Sequence, residues 1–129
     1  MLLRMRIYDT MSNTIRDLKP KDPSKVSIYA CGPTVQDVPH LGHARTALTY
    51  DVLKRYLVWA GFEVFLVSNI TDIDDKINKR KIEKKINISE FTSETIKNFH
   101  KDSHALGNLK PDFEPKATEN IPLMIDMIK

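Results

Sequence analysis

Two apolar runs, Val26–Ala30 and Phe62–Ser68, bracket a stretch with helical periodicity. Between them Ala44, Leu48, Val52 and Tyr56 form one apolar row, and Leu53, Leu57 and Ala60 form a second. Both fit a helix of about 3.6 residues per turn. Gly61 stands where that helix should stop, because glycine enters the left-handed region without a steric penalty. Strand, helix and strand within about 40 residues make a βαβ unit, with parallel strands and a right-handed crossover. The second run is apolar on both faces, as a strand covered on both sides is. The spacing therefore predicts an α/β fold on a parallel sheet, a βαβ unit plus following helices.

The flanks carry weaker signals. Arg6–Thr10 reads as a short edge strand, followed by a polar loop with Pro20 and Pro23. After the second run, Asp72 is placed to cap a helix, with Asp75 near its positive end. Capping accounts for these carboxylates without a magnesium ion. The basic series Lys76, Lys79, Arg80, Lys81, Lys84 and Lys85 reads mainly as a solvated face. Ser89 predicts the start of another helix, with Ile96, Phe99, Ser103 and Leu106 on one side and Gly107 as terminator. His100 and His104 read as part of a solvated face, since no metal motif accompanies them. A loop with Pro111 and Pro115 leads to Thr118 as an N-cap and to an apolar stripe of Ile121, Met124, Ile125 and Ile128. That stripe still repeats at Lys129, and two parallel strands leave both sheet edges open. The chain is expected to be the front portion of something longer.

Bulk properties narrow the setting. At 129 residues the chain is one domain or part of one. Its single cysteine excludes an internal disulfide and fits a reducing cytoplasm. No apolar run approaches the roughly 18 residues of a membrane span, and Met1–Arg6 holds too short an apolar core for a secretory signal. A net charge of +3 permits contact with nucleic acid but does not predict it.

Chemistry concentrates in the loop from Cys31 to His43. An apolar strand leads into Cys31, a Gly/Pro-broken turn follows, and His40-Leu41-Gly42-His43 opens the helix. Strand, polar turn and helix start together favour a phosphate, because backbone N–H groups and the positive end of the helix dipole converge there. Imidazoles at i and i+3 add side-chain donors on the same side. This suggests a nucleotide site without specifying the reaction.

The run Cys31-Gly32-Pro33-Thr34-Val35 with Asp37, followed by His40-Leu41-Gly42-His43-Ala44-Arg45, resembles the first signature of the cysteinyl-tRNA synthetases. Asn69-Ile70-Thr71-Asp72-Ile73-Asp74-Asp75-Lys76-Ile77 resembles their second block. Phe99, Asp102, Ala105, Leu106, Pro111, Pro115, Ala117, Thr118 and Ile121 also follow the family pattern, so the resemblance spans nearly the whole chain. It implies a class I aminoacyl-tRNA synthetase with a Rossmann-like parallel sheet. Residues 1–129 would be the N-terminal portion, the first half only, of that nucleotide-binding catalytic domain. The second half with its zinc ligands, the Lys-Met-Ser-Lys-Ser loop, the anticodon-binding domain and most tRNA contacts would lie outside them. The implied reaction activates L-cysteine with ATP and Mg2+ and passes it to tRNA(Cys), in the cytoplasm and with no membrane. The 129 residues alone would be incompetent.

The resemblance also implies roles for particular residues. Cys31 takes the place of a zinc ligand, and the zinc binds the substrate thiolate, rejecting serine better than a pocket selecting on size. Cys31, Gly32 and Thr71 would attend the substrate cysteine. Pro33, Thr34, His40, Gly42 and His43 would form the ATP site, with His40 and His43 catalytic at the phosphates and Gly42 leaving room for the adenosine. Gln36 departs from the family's frequent tyrosine and takes no role. One alternative is the related ligase of mycothiol synthesis, although its Thr-Pro-Tyr-Asp differs from Thr34-Val35-Gln36-Asp37. Others are a truncated, non-catalytic nucleotide- or partner-binding module and, more distantly, an adenylyltransferase with no need of Cys31.

Overall fold

The computed structural model describes residues 5–84 and 87–129. Met1–Arg4, the start of the stretch read for a signal, and Lys85, the last of the basic series, lie outside them. The hairpin of β1 (Arg6–Asp9) and β2 (Thr14–Asp17) is followed by β3 (Lys25–Ala30), α1 (Leu41–Trp59) and β4 (Glu63–Ser68). After these come α2 (Asp75–Lys84), α3 (Ile88–Ala105), a 3-10 turn at Thr118–Asn120 and α4 (Ile121–Ile128).

β3 and β4 pair in parallel, from Lys25 beside Glu63 to Ala30 beside Ser68. The βαβ unit predicted from spacing is present, and the architecture is α/β with a small parallel sheet. α1 ends at Ala60 with Gly61 at φ 95°, as expected of the glycine. It begins at Leu41 with His40 as its cap, so the His40–His43 tetrad opens the helix as expected.

The predicted loop around Pro111 and Pro115 instead runs along the free edge of β4, through parallel bridges Val67–Phe113 and Ile70–Lys116. Ser68 N–H donates to the Phe113 carbonyl at 3.1 Å, and Ile70 N–H to that of Pro115 at 2.8 Å. Pro115 lacks an N–H but still offers its carbonyl, so proline is tolerated at this edge. Proline content hid the segment from the sequence reading.

Burial corrects several expectations. β4 is covered on one face: Leu66 is buried while Phe65 is half exposed. β3 alternates in the same way, with Val26 and Ala30 buried and Tyr29 exposed. On α1, Leu57 is buried, but the other inward residues are Asp51 and Lys54, and Val52 and Trp59 face out. The inner polar pair is tolerated because each member has partners. Lys54 Nζ donates to Asp112 Oδ2 at 2.6 Å, and Leu109 N–H donates to Asp51 Oδ1 at 2.9 Å. Leu66 N–H also donates to Asp112 at 2.7 Å. The Leu66 amide, then Lys54, hold the Asp112 carboxyl below the usual carboxylate range.

The expected edge strand at Arg6–Thr10 exists as β1, but it pairs antiparallel with β2 in a hairpin of its own. Asn13 turns that hairpin at φ 55°, a conformation asparagine tolerates better than most residues. Three expected caps are reassigned. Asp74, not Asp72, accepts from the first turn of α2, through Lys76 N–H at 2.8 Å. Asn87, not Ser89, caps α3, accepting from Ser89 N–H at 3.0 Å. Thr118 opens a 3-10 turn and donates from both its amide and its hydroxyl to Asp72. The Ile121–Ile128 stripe lies on the surface. No described helix is long and apolar enough to cross a membrane.

A compact apolar cluster lies beneath the loop that follows β3. Val35, Ile70 and Ile77 are buried together, with Ile88, Ile96 and Phe99 packed against them. The loop's own Val35 is thus an anchor, which fixes the residues on either side of it.

Candidate active site

Parallel pairing continues past the strand ends into the two sequence signatures. Thr34 bridges Thr71; Thr71 N–H donates to the Pro33 carbonyl at 3.0 Å, and Val35 N–H to that of Thr71 at 3.1 Å. At Cys31–Gly32 the regular ladder gives way to a side chain, as Gly32 N–H donates to Asn69 Oδ1 at 3.0 Å. A β-carbon on Gly32 would lie 1.5 Å from the Asn69 carbonyl oxygen, so only glycine fits against this backbone. Cys31 is exposed, with Sγ 3.8 Å from the Gly32 carbonyl.

The histidines form a self-contained unit. Gly42 N–H donates to His40 Nδ1 at 3.0 Å, and His40 N–H donates to His43 Nδ1 at 3.2 Å, a reciprocal capping box. The rings stack with centroids 4.1 Å apart. A backbone N–H can only donate, so each Nδ1 is an acceptor and each neutral ring carries its proton on Nε2. Protonating either ring would cost its cap bond. Burial, and then the neighbouring His40, hold the His43 pKa below the ordinary imidazole value. The pair thus presents two Nε2–H donors, while the cap itself occupies the Gly42 amide expected to be open to an anion. A β-carbon on Gly42 would meet His40 Cε1 at 2.8 Å, so this glycine also makes room for the capping ring.

A cavity of about 440 Å3 opens beside this rim. Cys31, Gly32, Pro33, Thr34 and His43 all line it, which brings five of the predicted site residues to one space. His40, Gly42 and Thr71 stand outside its wall: the first two behind His43, and Thr71 on the rim, linked through Asn69. Gln36, assigned no role from the sequence, does line it. So do His100 and His104, which are exposed, as expected of a solvated face, and border the cavity as well. His100 Nε2 lies 2.6 Å from the Glu114 carboxylate, another lining group. No sequence pattern linked these residues, which sit fourteen apart. Asn69 was discoverable, because strand alternation sets it on the same face as Thr71.

Among the described residues no group of three or more His, Cys, Asp or Glu side chains is arranged to hold a metal ion. Zinc sites use three or four protein ligands. Cys31 by itself therefore does not make one. The Asp72 and Asp74 carboxylates are engaged by Thr118 and by the Lys76 amide.

A family profile described as "tRNA synthetases class I (C) catalytic domain" matches residues 17–129. The chain is 47% identical over 126 residues to a cysteine–tRNA ligase of Polaromonas naphthalenivorans, covering 98% of this chain and 27% of that protein. It is 46% identical over 124 residues to one of Cupriavidus taiwanensis, covering 96% of this chain and 27% of the relative. It is also 44% identical over 125 residues to one of Syntrophobacter fumaroxidans, covering 97% and 25%. The chain thus spans about a quarter of the length of these curated relatives.

Proposed function

This chain belongs to the family of class I (C) tRNA synthetase catalytic domains, and from that premise we propose that it forms the front wall of an active site that activates L-cysteine with ATP and charges tRNA(Cys). The observation that carries this reading is the convergence of Cys31, Thr34 and His43 on one cavity at the carboxyl ends of β3 and β4. Open parallel sheets bind ligands at that rim. In the full-length protein the sheet would extend to a Rossmann-like one, with residues 1–129 as the N-terminal portion of the catalytic domain.

Cysteine activation joins a carboxylate oxygen to the α-phosphorus of ATP and expels pyrophosphate. Negative charge accumulates on the phosphoryl oxygens in the transition state. His43, with His40 stacked behind it, offers a neutral Nε2–H donor already oriented by the capping box, so little reorganisation accompanies the reaction. Removing one such donor costs on the order of 100-fold in rate. Pro33 and Thr34 line the ATP side, and Gly42 leaves space for the capping ring and the adenosine. ATP enters as its Mg2+ complex.

Cys31, Gly32 and Thr71 attend the amino acid. Cys31 would be one ligand for a zinc ion whose other ligands would come from elsewhere in the full-length enzyme, and the zinc would supply selective binding of the substrate thiolate. The decisive experiment is ATP–pyrophosphate exchange by the full-length protein. Exchange that depends on L-cysteine and ignores L-serine is expected, and in Cys31→Ser that preference should collapse along with the zinc content. A protein whose exchange is independent of cysteine would overturn the reading.

A further inference from the structure

We propose that Asn69 is a positioning residue that sets the polarity of the Thr71 hydroxyl, so that Thr71 meets the amino-acid substrate as a hydrogen-bond donor. This inference rests on the cysteine-activation reading above. Asn69 lies between the two halves of the rim. Its Oδ1 accepts from Gly32 N–H at 3.0 Å and from the Tyr29 hydroxyl at 2.9 Å. Its Nδ2 donates to Thr71 Oγ1 at 3.0 Å.

The direction of that last bond is forced. A backbone N–H has no acceptor form, so the end of the carboxamide facing Gly32 must be the oxygen. The other end is then the NH2 group, and Thr71 must accept from it. The main chain of Thr71 is held on both sides by Pro33 and Val35, which keeps its Cβ within reach of Asn69. No acceptor among the described residues takes the Thr71 proton. It remains for a substrate atom with lone pairs, a carboxylate oxygen or the sulfur, while Oγ1 keeps one further lone pair. One side chain thus braces the Cys31–Gly32 turn and orients the hydroxyl beside it.

Asn69→Asp tests this without changing shape. An aspartate keeps the acceptor end for Gly32 and Tyr29, but it replaces the NH2 with a second acceptor. The Thr71 proton would then turn toward residue 69 and away from the substrate. In the full-length enzyme, assayed by ATP–pyrophosphate exchange, Asn69→Asp should raise KM for cysteine about tenfold, the cost of one hydrogen bond. KM for ATP should stay within about twofold. Thr71→Val should have a similar effect on cysteine, and the two together should cost clearly less than the product of the single effects, because they share one interaction. A wild-type KM for cysteine in Asn69→Asp, or effects that multiply in the double variant, would overturn the inference. If Asn69→Asp fails to fold, Thr71→Ser against Thr71→Val decides. Serine should hold KM within about threefold while valine loses tenfold, and equal values for valine and wild type would refute it. A wild-type enzyme with no cysteine-dependent exchange refutes the activation reading instead, and this inference with it.

Discussion

The two sides of the cavity are held in opposite ways. The imidazole side is local: His40, Gly42 and His43 satisfy one another within four residues. The thiol side is assembled from afar, as Gly32 depends on Asn69, thirty-seven positions away, and β4 on Asp112, forty-six beyond Leu66. A locally closed unit resists damage elsewhere in the fold, whereas a rim built by strand pairing fails as a whole when one contact is blocked. That difference orders the expected effects of substitution.

The largest effect belongs to Gly32→Ala. Its β-carbon has no space beside the Asn69 carbonyl, so β3 and β4 must separate at the rim. Thermal unfolding of the full-length protein should show a loss of about 4 kcal/mol or more, with exchange activity abolished. A stable, active variant would show that the rim is not closed as described.

Next comes Lys54→Met. Lys54 is only 9% exposed, and its removal leaves Asp112 without its one cationic partner while the Leu66 amide still donates to it. Denaturant unfolding should show a loss of about 2 kcal/mol, less than for a fully buried pair because the Asp112 carboxylate is a third exposed. The local side is predicted to yield less. His40→Ala removes the α1 cap and should cost about 1 kcal/mol. His40→Asn should restore that stability, since asparagine also caps, without restoring the rate of cysteine activation. Recovery of both by asparagine would reduce His40 to a cap.

The smallest effect concerns pH. Because the folded His43 pKa is lowered, the unfolded chain takes up a proton first as pH falls. Stability is unaffected above the ordinary imidazole pKa of about 6.5 and declines as pH drops below it. His43→Gln should flatten that decline in unfolding curves measured between pH 7 and 5, and an unchanged slope would assign it to another group.

Legibility in the sequence follows the same division. The βαβ unit, the glycine stops and the histidine pair were readable because each depends on local periodicity or on neighbours within one turn. The strand-like course of residues 113–117 was hidden by its prolines, which forbid regular pairing yet leave carbonyls free to accept. The inward Asp51 and Lys54 were invisible because charges in a helix read as solvated until a partner such as Asp112 arrives from a distant segment. The caps failed for a related reason: several Asp, Ser, Thr and Asn residues compete within three positions of each helix start, and tertiary contacts such as Thr118 with Asp72 decide among them.

The proposed division of labour, imidazoles for the reacting phosphate and the thiol side for the amino acid, is tested most directly by steady-state exchange kinetics of His43→Ala in the full-length enzyme. The account predicts kcat lower by about 100-fold with KM for cysteine within about threefold of wild type. An undiminished kcat with weakened cysteine binding would contradict it.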